Sequence, residues 1–148
     1  MTNIKIEIIN QLKDNYSYLL HNNNSLGIIV DPADDEKIIN VLDSKKLKLE
    51  CILITHHHSD HTSGALGLIK KFPNAQIYSP SKLSSLKINN ISNNSKVTTT
   101  LNEFEIFSAP GHTLDHVVLC DFKNKLLFVG DVLFRLGCGR VFEGTLNQ

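Results

Sequence analysis

Residues 51–61 read Cys-Ile-Leu-Ile-Thr-His-His-His-Ser-Asp-His, a short apolar run that breaks without a linker into four histidines and an aspartate. A continuous apolar run of this length predicts a strand buried on both faces, here Cys51–Ile54. Any fold open to this chain must carry that strand through its core and let its end open onto a polar cavity. Residues two apart in an extended segment share a side, so His56 and His58 can meet one ion while His57 points away. Asp60 and His61 fall where the chain turns into a helix. They are aimed differently and are available to a second ion. Imidazole nitrogen and carboxylate oxygen suit zinc at ~2.0–2.2 Å and also tolerate iron or manganese. Packing gives no reason for so many ionisable groups at the mouth of an apolar strand.

Two further windows repeat the placement. Gly111-His112-Thr113-Leu114-Asp115-His116 follows Pro110, and with the first window it holds every histidine except His21. Leu126-Leu127-Phe128-Val129-Gly130-Asp131 sets one carboxylate at the end of another apolar run. Alone, a Gly-Asp pair usually marks a turn. The shared position of all three windows at strand ends is what makes the combination specific, and a surface histidine tract would not explain it.

The remaining pattern is that of an α/β chain. Strands are expected near Ile4–Ile9, Tyr16–Leu20 and Leu26–Val30, with Asn22–Asn24 as a hairpin turn. Asp34–Lys46 reads as a helix, with Ile38, Ile39, Val41 and Leu42 on one side and acidic residues in its first turn. A second helix is expected over Ser63–Phe72, ending before Pro73. Further strands are expected near Gln76–Tyr78, Lys96–Leu101, Phe104–Ser108, His116–Phe122 and Lys125–Val129. Asn89–Asn94 and the glycine-containing stretch Arg135–Gln148 read as loops. Strands partly alternating with helices imply a layered α/β fold.

Composition narrows the function. At 148 residues the chain fits a single domain spanning 1–148, able to bury roughly 70% of its unfolded surface. Lysine plus arginine balances aspartate plus glutamate, 15 against 15, so no global charge recruits nucleic acid or an anionic membrane. No stretch approaches the ~18 continuous apolar residues of a spanning helix. The amino terminus alternates as a strand rather than forming a signal sequence. Cys51, Cys120 and Cys138 are odd in number and widely spaced, which argues against a disulfide framework. Cys51 and Cys120 read as small core residues. A cytoplasmic location is expected.

His56-x-His58-x-Asp60-His61, then His112, then Asp131, resembles the metallo-β-lactamase superfamily. Within it, Thr55–His61 and Gly137-Cys138-Gly139-Arg140-Val141-Phe142-Glu143-Gly144-Thr145 resemble glyoxalase II, the hydroxyacylglutathione hydrolases. Asp14-Asn15-Tyr16 and Val30-Asp31-Pro32 match the opening strands of that family. The resemblance implies a layered αββα sandwich. It implies that His56, His58 and His112 hold one zinc ion, that Asp60 and His61 hold a second, and that Asp131 bridges them. Asp60 and Asp131 are thereby the catalytic carboxylates, and Arg140 and Phe142 touch the glutathione part of the substrate. His57 and His116 are expected to pack or hydrogen-bond behind the site.

Two ions sharing a water would lower its pKa towards ~7 and so supply a nucleophile for a thioester carbonyl. The implied substrate is an S-(2-hydroxyacyl)glutathione such as lactoylglutathione, as in methylglyoxal detoxification. The family continues past the position of Gln148 through more of the second sheet, one further histidine ligand and a helical domain. Against that pattern the second sheet is expected to be incomplete and the helical domain absent. A weaker second ion is also expected, with self-association or pairing with a separate C-terminal half. Asp115, where the family usually has glycine, and Asp31-Pro32-Ala33, where a glycine commonly follows the proline, are smaller departures that remove no ligand. Two other readings use the same residues. One is a persulfide dioxygenase-like enzyme with a single iron on His56, His112 and Asp131. The other is a remnant that binds metal and turns over nothing.

Overall fold

The computed structural model describes residues 4–22, 25–145 and 147–148. Among these residues ten strands form two sheets. The first contains β1 (Lys5–Gln11), β2 (Asn15–His21), β3 (Leu26–Val30), β4 (Lys48–Leu53), β5 (Gln76–Ser79) and β6 (Asn89–Asn90), paired in that order. The second contains β7 (Lys96–Thr98), β8 (Glu103–Ser108), β9 (Val117–Asp121) and β10 (Leu126–Phe128), in the order β10-β9-β8-β7. β1–β2–β3 and the whole second sheet are antiparallel, whereas β3–β4–β5–β6 are parallel. The parallel pairs need crossovers: α1 (Asp35–Ser44) lies between β3 and β4, α3 (Ala65–Lys71) lies between β4 and β5, and residues 80–88 pass from β5 to β6 without a helix.

The side-chain period of two explains how the layers stack. Leu19, Ile29 and Ile52 face one way and meet Ile38 and Leu42 of α1 and Leu68 of α3. Leu20, Ile28, Val30, Cys51 and Leu53 face the other way and meet Val97, Phe104, Ile106, Val117, Leu119 and Phe128 of the second sheet. Burying each such aliphatic or aromatic side chain contributes roughly 1.5–3 kcal/mol. The result is helix, sheet, sheet. Among the described residues no helix covers the outer face of the second sheet, where Phe107, Phe122 and Leu127 are exposed, so the fourth layer of the expected αββα sandwich is not seen. Cys51 and Cys120 are buried, Cys138 is exposed, and all three are free thiols. No helix among the described residues is long and apolar enough to cross a membrane.

Element boundaries depart from expectation at a few places, each for a local reason. α1 stops at Ser44 rather than Lys46. Lys46 takes a left-handed φ of 55°, its N–H bonds Asp43 O, and the Leu47 N–H bonds Leu42 O, closing a Schellman-type end without glycine. The expected Ser63–Phe72 helix is α3, which starts only at Ala65, and a separate single turn, α2 (Ser59–Thr62), precedes it. The break falls at Gly64, whose N–H bonds Pro32 O at 2.9 Å and draws the chain against the α1 start. Asn89–Asn90 is a two-residue parallel strand on β5 rather than a loop, held by backbone pairing that carries no side-chain signature. The β2–β3 hairpin forms as expected, pairing His21 with Gly27, and Asn23 and Asn24 of its turn lie outside the described residues.

Candidate metal centre

β4 ends at Leu53, the segment 109–116 joins β8 to β9, and β10 ends at Phe128. The Val117 N–H bonds Thr55 O at 2.9 Å, which fastens the first histidine window to the second across the gap between sheets. Asp131 is delivered by a turn at Gly130 with φ +49°. A Cβ there would meet Thr55 Oγ1 at 2.6 Å and His116 Nε2 at 2.7 Å, so only glycine fits.

The ligand-type atoms converge. His56 Nε2 lies 3.2 Å from His58 Nδ1, and His112 Nε2 lies 3.0 Å from the same His58 atom. His56 belongs to two groups, one with His58 and His112 and one with His61 and Asp131, and Asp131 ties the second group to His112. Asp131 Oδ2 is 3.2 Å from His112 Nε2 and its Oδ1 is 3.2 Å from His61 Nε2. His61 Nε2 is also 3.8 Å from Asp60 Oδ2. Donors at ~2.0–2.1 Å around a tetrahedral ion stand roughly 3.3 Å from one another, close to the His56–His58, His58–His112, His112–Asp131 and His61–Asp131 separations of 3.2, 3.0, 3.2 and 3.2 Å. His57, as expected, turns out of the cluster.

The surrounding hydrogen bonds decide which nitrogen of each ring faces inward. Asp31 is the hub. It is buried at the end of β3, and it accepts from Thr55 N at 2.8 Å, Thr55 Oγ1 at 2.7 Å and His61 Nδ1 at 3.0 Å. With its proton committed to Asp31, the Thr55 hydroxyl can only accept from His56 Nδ1, 3.0 Å away, which leaves a bare lone pair on His56 Nε2. His112 Nδ1 donates to Arg140 O at 2.8 Å, and its Nε2 is likewise bare. Two bare nitrogens therefore aim at one His58 nitrogen that carries at most one proton. His61 Nε2 is buried without a hydrogen-bond partner; Asp131 stands at ion-pair distance but out of hydrogen-bond alignment. These groups fit a cation better than they fit one another.

Electrostatics agree. Burial, with neighbouring imidazoles, holds His56 far below the ordinary histidine range, and burial also lowers His58, so both keep the neutral form a ligand needs. Burial opposes charge on His61 too, but the Asp131 and Asp31 carboxylates outweigh it and raise that ring to about 10. A proton there occupies the place a divalent ion would take. Burial pushes Asp131 up, and His61 more than offsets it, so the carboxylate stays ionised. Burial lowers His116 to about 4. That ring stacks on His56 at 4.7 Å and accepts from Asp131 N at 3.1 Å, supporting two members of the cluster from behind.

Asn15, Asp31 and Thr55 were not singled out as functional from the sequence. Asn15 Nδ2 donates to Asp60 Oδ2 at 2.8 Å from the start of β2. The usable signal was the parallel pairing of β3 with β4, which sets Asp31 beside Thr55 once both strands end. The strip 137–145 lies along the second window. Phe142 N bonds His112 O at 3.2 Å, and the Phe142 ring meets His112 and His58 edge-on at 5.3 and 5.8 Å. The exposed Arg140 guanidinium sits 5.7 Å from the centre of that ring. Gly139 is required at this crossing, because a Cβ there would collide with Asp131 O and crowd His112 Nδ1. A cavity of about 870 Å³ opens beside Asp60, His61 and Asp131, with Tyr16, Phe128 and Leu133 among its walls.

Fold and site together are those of the metallo-β-lactamase superfamily, and the sequence matches the Metallo-beta-lactamase superfamily over residues 12–90 and 91–146; the chain belongs to that superfamily. It is similar to a hydroxyacylglutathione hydrolase of Citrobacter koseri, 38% identical over 146 residues, which are 98% of this chain and 57% of that protein. The chain thus spans little more than half the length of that curated relative. Among solved structures it resembles the BLEG-1 B3 metallo-beta-lactamase, with a TM-score of 0.81 and 26% identity over 95% of this chain and 79% of that one. It shares its fold with ETHE1 from Myxococcus xanthus, with a TM-score of 0.78 and 21% identity over 92% of this chain and 61% of that one.

Proposed function

We propose that the chain carries a binuclear metal centre that hydrolyses the thioester of an S-(2-hydroxyacyl)glutathione such as lactoylglutathione. The observation that carries this reading is the placement of Asp131, with one oxygen 3.2 Å from His112 and the other 3.2 Å from His61. His56, His58, His112 and Asp131 would hold the first ion, and Asp60, His61 and the shared Asp131 the second. Zinc suits this donor set, and iron or manganese would also be accepted. The likeness to a protein named hydroxyacylglutathione hydrolase supplies the substrate class.

When bound, such a pair of ions supplies a water of lowered pKa and polarises the substrate carbonyl. The chain supplies the rest. Asp31, Thr55 and the Arg140 carbonyl fix the ring nitrogens that face inward, and Asn15 fixes Asp60. Asp60 and Asp131 bring negative charge to the edge of the cavity, where it can hold a water proton. Arg140 offers a planar cation to a glutathione carboxylate, and Phe142 offers an apolar face. Water adds to the carbonyl carbon, the C–S bond breaks, and the products are a 2-hydroxy acid and free thiol. Thiolate leaves readily, so no strong general acid is needed beside the sulfur.

The competing reading, a dioxygenase with one iron on His56, His112 and Asp131, gives neither His61 Nε2 nor Asp60 a ligand role. The test is hydrolysis of lactoylglutathione by purified protein with and without added zinc, beside an Asp131→Ala control. The expected result is zinc-dependent hydrolysis that Asp131→Ala abolishes. Hydrolysis surviving that substitution would show the site to be misassigned. Oxygen uptake with glutathione persulfide in place of hydrolysis would favour the iron enzyme.

A further inference from the structure

His57 stands between two candidate ligands yet points away from them, and its ring makes a second cluster with Asp115 and Glu143. Its Nδ1 is 2.9 Å from Asp115 Oδ1, and its Nε2, on the opposite side of the ring, is 3.3 Å from Glu143 Oε1. One carboxylate on each side of the ring is the geometry of a tie rather than of a pocket around a single cation. The other oxygen of each carboxylate is also engaged. Glu143 Oε2 accepts from Leu114 N at 2.8 Å, and Asp115 Oδ2 accepts from Ser81 Oγ at 2.5 Å. Burial pushes the Asp115 carboxyl up, but its hydrogen bonds outweigh this and hold it below its ordinary value, as an ionised acceptor. The circuit Ser81–Asp115–His57–Glu143–Leu114 therefore joins four segments: the first histidine window, the second, the strip 137–145 and the stretch that follows β5.

That strip has few other anchors on the side of the first window. Towards the second window it is held by backbone bonds from Phe142 N to His112 O and from Gly144 N to Gly111 O, and by the Arg140 carbonyl on His112. Towards the first window, Glu143 reaches His57 while the adjacent Phe142 ring lies 5.8 Å from His58. We propose that His57, Asp115 and Glu143 form a clasp that positions Arg140 and Phe142 over the histidine cluster, and so sets the grip on the remote, non-reacting part of the substrate. Resting on the thioester reading above, the clasp makes His57 and Glu143 positioning residues that neither bind an ion nor touch the scissile bond. Binding groups that drift from their productive position weaken capture of the substrate while the reacting centre stays assembled.

The test compares native protein with Glu143→Ala, His57→Leu and the double variant, all loaded with zinc. KM for lactoylglutathione is expected to rise about tenfold in each single variant, the effect of losing one charge-assisted hydrogen bond. kcat is expected to move less than about threefold, with bound zinc per chain unchanged. The double variant should be no worse than Glu143→Ala, which already breaks the tie to His57 together with the bond from Leu114 N. Losses that multiply would overturn the clasp, and so would zinc content falling in step with KM, since His57 and Glu143 would then be supporting the metal. A second readout needs no activity. Tryptic cleavage after Arg140 should accelerate several-fold in the single variants, and an unchanged rate would overturn the clasp even in a protein that hydrolyses no thioester. Absence of native turnover with faster cleavage in the variants would instead retire the substrate and leave the clasp standing.

Discussion

Replacing Asp31 by asparagine would test whether one carboxylate governs the ligand state of both ion sites. Asp31 has a left-handed φ of 51°, which asparagine also tolerates, so backbone strain is not introduced. The change is nevertheless severe, since every neighbour of the Asp31 carboxylate is a donor: Thr55 N, Thr55 Oγ1 and His61 Nδ1. An amide group at the Oδ2 position would donate to His61 Nδ1, and the His61 proton would move to Nε2, facing the second ion. The same amide would turn the Thr55 hydroxyl towards His56 Nδ1 and put a proton on His56 Nε2, facing the first ion. The opposite amide orientation sets donor against donor at Thr55 N. Disturbing groups that orient ligands typically costs 10–100-fold in metal affinity. With a ligand of each site affected, the loss is expected near the upper end, about 100-fold or roughly 2.7 kcal/mol. Competition between the protein and a chromogenic zinc chelator measures it, with circular dichroism confirming that Asp31→Asn folds. Zinc affinity within threefold of native in a folded variant would refute the reasoning.

Other perturbations separate the parts of the site. Asn15→Ala removes the donor to Asp60 and should weaken the second zinc about tenfold while leaving the first in place, which calorimetric titration would resolve as a change in one step only. Gly139→Ala forces a Cβ against the Asp131 carbonyl and should lower zinc content and thioesterase activity together while the circular dichroism spectrum holds. Phe104→Ala empties the space of a fully buried ring between the sheets and should cost about 3–5 kcal/mol in urea unfolding without altering zinc stoichiometry in the folded protein.

The first histidine window was legible because its chemistry and its strand are contiguous. Cys51–Ile54 announces a buried strand, alternation puts His56 and His58 on one side, and the structure sets their nitrogens 3.2 Å apart with His57 turned out. The place of Asp131 between His112 and His61 was legible only through resemblance, since nothing in Val129-Gly130-Asp131 says which strand end it will meet. Asp31, Thr55 and Asn15 were illegible as site residues because their work depends on strand pairing, β3 beside β4 and the β1–β2 turn beside α2. The same holds for Glu143 on His57, a contact across 86 positions that follows from how the strip crosses the second window. The end of α1 was misplaced for a simpler reason: Lys46 takes a left-handed conformation in which glycine is the usual signal.

The most direct measurement is anomalous scattering at the zinc edge from crystals of the zinc-loaded protein. The expected result is a peak within about 2.0–2.3 Å of His56 Nε2, His58 Nδ1, His112 Nε2 and one Asp131 oxygen, with a second near His61 and Asp60. Zinc found only on His57, Asp115 and Glu143, or on no group that includes His112 and Asp131, would contradict the metal centre on which the proposed reaction depends.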